Sequence, residues 1–67
     1  MIYTDSRGER WHVEPAYVGY SATHEQYDGA PNHSGGPPAD QRHLHAPTAK
    51  DVCVEVECWV EEQEEQP

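Results

Sequence analysis

The stretch Thr48-Ala49-Lys50-Asp51-Val52-Cys53-Val54-Glu55-Val56-Glu57-Cys58-Trp59-Val60-Glu61-Glu62-Gln63-Glu64-Glu65 decides the fold, and it reads two ways. As a strand, it places Val52, Val54, Val56, Cys58 and Val60 on one face, because side chains alternate with period two. As a helix, it gathers Ala49, Val52, Cys53, Val56, Trp59, Val60 and Gln63 into one stripe, in which only Gln63 is polar. The valines favour the strand by propensity. Three features favour the helix. Thr48 with Asp51 three residues on resembles a capping box, with Asp standing in for Glu. The segment is long, where strands run to roughly 5–6 residues. A small sheet also needs one element to cover its apolar face, and nothing else in the chain supplies it. The acidic end, Glu61 to Glu65, opposes the helix dipole. A helix over 48–65 that frays at this end is the expectation adopted, and a fourth strand there is the alternative.

Working outward toward the N-terminus, residues 2–23 read as strands. Ile2-Tyr3-Thr4 is short and β-prone, and Asp5-Ser6-Arg7-Gly8 has turn chemistry, with Asp first and Gly fourth. Arg10 to Glu14 alternates, with Trp11 and Val13 on one face and Arg10, His12 and Glu14 on the other. Pro15 breaks the ladder and marks a turn or a sheet edge. Ala16 to Thr23 reads as a third strand with Val18, Tyr20 and Ala22 on one face. Gly19 there signals a bulge or the close approach of another element. Between the sheet and the helix, Asp28-Gly29-Ala30-Pro31, Ser34-Gly35-Gly36-Pro37-Pro38 and Ala46-Pro47 concentrate breakers, so residues 24–47 read as an irregular loop. The expected fold class is α+β: a three-stranded antiparallel sheet with one C-terminal helix packed on it, in a single small domain over residues 1–67.

Composition limits what such a domain can do. Ile, Leu, Val and Phe contribute eight residues of 67, with no Phe. Two Trp and four Tyr partly compensate, since each aromatic can bury roughly 150–250 Å². The core is therefore thin, and stability on the order of 3–5 kcal/mol is expected. An enclosed active site finds no room.

Charge is the most informative feature. Thirteen acids against four bases give −9. Residues 1–50 hold all four bases and balance to −2, whereas residues 51–67 hold seven acids and no base. Surplus Lys and Arg, which nucleic acids and anionic membranes require, is missing, so neither is an expected direct partner. No apolar run exceeds three residues, and Met1-Ile2-Tyr3-Thr4-Asp5 has no basic start or apolar core of a signal peptide. The chain is read as cytosolic.

Chemistry-bearing residues are present without the spacing that chemistry needs. His12, His24, His33, His43, His45, Cys53 and Cys58 invite a metal reading. His43 and His45 would project together from an extended segment. No Cys-x-x-Cys or His-x₃₋₅-His occurs, and Cys53 and Cys58 diverge on either a helix or a strand. Solvated loop histidines, reduced thiols, no metal and no cofactor are expected. Ser6, Ser21 and Ser34 have no Gly-x-Ser-x-Gly setting. Gly35-Gly36 is not followed by the Lys-Ser/Thr of a phosphate loop. No catalytic residue is assigned, and the chain is not expected to be an enzyme.

The segment Tyr27-Asp28-Gly29-Ala30-Pro31, the Gly/Pro loop after it and the closing Thr48–Glu65 helix resemble small phage- or prophage-encoded proteins. The likeness is one of pattern and spans residues 9–65. Within that group, small size and strong acidity are similar to those of anti-CRISPR proteins, above all the acidic ones that imitate DNA. These share no diagnostic motif, so what matches is the acidic character of Asp51, Glu55, Glu57, Glu61, Glu62, Glu64 and Glu65. The near-neutral residues 1–50 depart from a uniformly acidic mimic. The resemblance implies an inhibitor whose partner is the basic DNA-binding surface of a host protein or complex, a CRISPR effector in the first place, engaged through those seven acids. The other readings are a small His/Cys metal-binding module and an acidic accessory protein.

Overall fold

Two tight turns and one long excursion build the sheet. In a computed structural model, described over residues 1–65, the order is β1 (Ile2–Thr4), β2 (Arg10–Pro15), β3 (Tyr20–His24), β4 (His43–Ala46) and α1 (Ala49–Glu65). The four strands form one antiparallel sheet in the order β1-β2-β3-β4, and α1 crosses one face of it over β4, β3 and β2. The class expected from the sequence is the class observed, with one more strand than expected.

Turn chemistry explains the first hairpin. Asp5 C=O accepts the Gly8 N–H at 2.9 Å, and the Asp5 carboxylate accepts the amides of Arg7 and Glu9 at 2.8 and 3.1 Å. Its second oxygen accepts the indole N–H of Trp11 at 2.9 Å, so this acid is buried at the edge of the core. Trp11 pairs with Tyr3 on one side and His24 on the other, and this row faces the helix.

The second hairpin differs from its expectation. The third strand begins only at Tyr20. Tyr17 and Val18 sit at the exposed tip of the turn, which the Ala16 N–H closes on Gly19 C=O at 2.9 Å. Gly19 is the reason. Its φ is +78°, which breaks an extended run, and a Cβ there would collide with the Ala46 carbonyl and lie 3.0 Å from the Pro47 Cα. Gly19→Ala should therefore cost at least about 1–3 kcal/mol in urea unfolding. Gly8→Ala, also at positive φ but with open space around it, should cost less because no neighbour opposes it.

The fourth strand lies inside the segment expected to be an irregular loop. His43-Leu44-His45-Ala46 pairs with β3 in the register Thr23↔His43 to Tyr20↔Ala46. Four residues rich in His carry little strand propensity of their own. They become a strand because β3 offers an unpaired edge after an excursion of residues 25–42, and because Leu44 and Ala46 pack on the core. Residues 32–36 within the excursion form an Asn32 turn, whose side-chain oxygen accepts the amides of Ser34 and Gly36 at 2.9 and 3.0 Å.

Trp11, Val13 and Ala22 from the sheet and Val52, Val56 and Val60 from the helix form the buried core. Trp59 packs edge-on against Trp11 with ring centroids 5.6 Å apart, and the Arg7 guanidinium lies 5.3 Å above the Trp59 ring. The opposite face of the sheet is left to solvent and is polar, with rows such as His12, Thr23 and His43.

Candidate functional site

The helix is fixed at its start. Thr48 Oγ1 accepts the Asp51 N–H at 3.1 Å, and Thr48 C=O accepts the Val52 N–H at 3.0 Å. Burial of Val52, Val56 and Val60 at i, i+4 and i+8 then sets the rotation of the helix. That rotation turns Asp51, Glu55, Glu61, Glu62 and Glu64 outward, all exposed. Glu65 closes the helix, and its side chain lies outside the described residues.

Glu57 is different. It is half-buried, and its Oε1 accepts the Tyr3 hydroxyl at 2.8 Å and the Ser6 N–H at 3.0 Å. It ties the helix to β1 and the first turn, so its carboxylate serves the fold as well as the acidic surface. Burial, then the hydrogen bond and charge of Glu57, push the Tyr3 phenol from 10.0 up to about 12. The neutral phenol is thus favoured in the folded state, and the unfolded chain ionises first. The stability this supplies is complete below pH 10 and is lost as pH rises to about 12. The urea midpoint should fall over that window, and Tyr3→Phe should fall less steeply there.

The three arginines, all outside α1, are already engaged. Arg7 pairs with Asp5 and Glu9 at 3.3 and 3.0 Å, Arg10 with Glu25 at 2.7 Å, and Arg42 with Asp40 at 2.8 Å. The Arg42 hydrogen bonds hold the Asp40 carboxyl well below the usual carboxylate range, and Asp40 in turn raises Arg42. Every ion pair among the described residues lies in this strand-end cluster or its loop, and none involves an acid of α1. Within the helix, Asp51 and Glu55, and Glu57 and Glu61, stand four apart as like charges with no intervening base.

The histidines are mostly not loop residues. His12, His43 and His45 project from strands, and His24 is buried at the end of β3. His24 Nδ1 accepts the Gln26 N–H at 3.0 Å, which leaves the proton on Nε2, 2.7 Å from a Glu9 oxygen. Sequence reasoning had no signal for this contact, because Glu9 and His24 meet only through the β2–β3 pairing. His43 and His45 do share a side of β4, with ring centroids 4.7 Å apart. Among the described residues, no three His, Cys, Asp or Glu side chains converge in a way that could hold a metal ion. Cys53 is half-buried and Cys58 exposed, both as free thiols, and burial followed by Glu57 raises the Cys53 thiol.

No helix among the described residues is long and apolar enough to cross a membrane. Comparison with protein families, curated proteins and solved structures finds no match to any of them.

Proposed function

We propose that this protein is a non-enzymatic inhibitor that binds the basic surface of a nucleic-acid-handling protein through the outer face of α1. In its concrete form it is a phage anti-CRISPR protein that imitates DNA and blocks target-DNA binding by a CRISPR effector complex. The observation that supports this reading is the segregation of charge. Arg7, Arg10 and Arg42 are all neutralised by acids outside α1, whereas among the described residues no acid of α1 is in an ion pair. Such an arrangement is destabilising within the chain, because like charges four apart each cost about 0.2–0.5 kcal/mol. An external cationic surface would relieve it.

The geometry suits a mimic of one DNA strand. From Asp51 to Glu65, six acids other than Glu57 span about 21 Å at 1.5 Å per residue, a mean spacing of about 4.2 Å. One strand of a duplex carries a charge every ≈ 3.4 Å along the axis. A cleft lined with Lys and Arg would meet a similar linear density. Complementary potential speeds association, and apolar anchors set how long the complex lasts.

The test uses effector complexes loaded with guide RNA and a labelled target duplex in a gel-shift assay. Capture of the duplex by at least one effector type should fall as this protein is added, and the block should weaken steeply with salt. Undiminished capture across a panel of types would overturn the CRISPR form of the proposal.

A further inference from the structure

Val54 and Cys58 stand exposed among the acids of α1, and Val54 keeps 53% of its surface in solvent. The fold gives these two residues a context. Because the helix crosses β4, β3 and β2, it leaves β1 at the sheet edge with only Tyr3 reaching toward it. The gap is an open, largely apolar groove walled by Tyr3, Cys53, Val54 and Cys58. Glu57 and Glu61 form its rim, and Lys50 stands at one end.

We propose that this groove seats an apolar side chain projecting from a strongly basic segment of the partner, a Leu, Met or aromatic residue flanked by Arg or Lys. The proposal rests on the acidic-face reading and names the partner chemistry at that face. Charge complementarity selects the occupant. Glu57 and Glu61 line the groove, Glu55 and Glu62 lie beside it on the same helix, and an acidic segment would be repelled. Lys50 is a single cation against these. Part of the rim is also built in advance. Tyr3 and Ser6 hold Glu57 from the floor and the turn, so this carboxylate needs no ordering when a ligand is seated. Exposed carboxylates alone would steer the encounter without fixing register, and a buried anchor supplies the register.

The probes are short synthetic peptides, one with a Leu pair between Arg residues and one in which Ser replaces each Leu at equal charge. Fluorescence anisotropy should show the Arg-Leu peptide binding about tenfold tighter, the scale of burying one aliphatic side chain. Val54→Ser should erase that difference while leaving the melting temperature and the Arg-Ser affinity unchanged. Bound Arg-Leu peptide should also slow alkylation of Cys58 by a neutral maleimide, mapped by mass spectrometry, whereas Arg-Ser peptide should not. Equal binding of the two peptides, or an unchanged Cys58 rate, would overturn the groove and leave the acidic face standing. Binding of neither peptide at low salt would overturn both.

Discussion

Replacing Glu55, Glu61, Glu62 and Glu64 together by Lys should abolish the proposed inhibition while leaving the protein as stable as before or slightly more so. Two opposite effects on one helix make this the most discriminating variant. All four side chains are exposed, and none takes part in a hydrogen bond or ion pair among the described residues. Each reversal adds two units of charge, so the net charge moves from −9 to −1. Within the helix, like-charge repulsion at four-residue spacing disappears, and cations replace anions at a C-terminal end that has no basic residue. Together these changes should raise stability by about 1 kcal/mol. At the proposed partner the sign is opposite, since Lys would then face the Lys and Arg of a basic surface. Loss of duplex competition by about 100-fold or more is expected at physiological salt, where screening acts over about 8 Å. Glu14→Lys, on the solvent face of the sheet, is the matched control and should change little. Glu57 is left out because its change would release Tyr3 and Ser6. Unchanged competition by the fourfold variant would reduce the acidic face to a solubilising surface.

Asp5→Ala should unfold much of the population at room temperature. The side chain is fully buried and accepts four hydrogen bonds, from the Arg7 and Glu9 amides, the Trp11 indole and the Arg7 guanidinium. Truncation leaves the Trp11 N–H without a partner inside the core and opens the first turn. Breaking one side of a buried charged contact costs about 3–5 kcal/mol, which equals the whole stability expected of a domain of this size. The near-ultraviolet circular dichroism of Trp11 and Trp59 should collapse. Asp5→Asn should retain part of the structure, because an amide oxygen can still accept. The wild type should show the linked pH dependence. Burial pushes the Asp5 carboxyl up, but the Trp11, Glu9 and Arg7 hydrogen bonds outweigh it and hold the pKa below 3.8. The folded state thus favours the carboxylate. That stability is fully present above pH 3.8 and is lost as pH falls through the lower folded value. Asp5→Asn should lack this component of acid unfolding.

These two residues sets differ in how far they were legible in advance. The outward acids of α1 follow from the sequence, because a period of 3.6 and the positions of Val52, Val56 and Val60 suffice to place them. Asp5 was legible as a turn residue from Asp5-Ser6-Arg7-Gly8. Its burial under Trp11 was not, since turn chemistry is a local pattern and burial depends on what packs above.

The same division runs through the molecule. By itself the sequence determined the α+β class, the capped helix from Thr48 onward, the Trp11/Val13 face of the second strand and the one-sided charge, because each is written in spacings of two to four residues. Tertiary structure alone decided that His43–Ala46 becomes a strand, that the third strand starts at Tyr20, that Glu57 also holds Tyr3, and that Glu9 reaches His24. Each joins residues at least 15 apart, apart from the late start at Tyr20. That start depends on Gly19 meeting the Ala46 backbone. Strand edges and side-chain partners come from whatever the folded chain brings alongside. Neither propensity nor periodicity carries that information, because both are properties of a segment before it has neighbours.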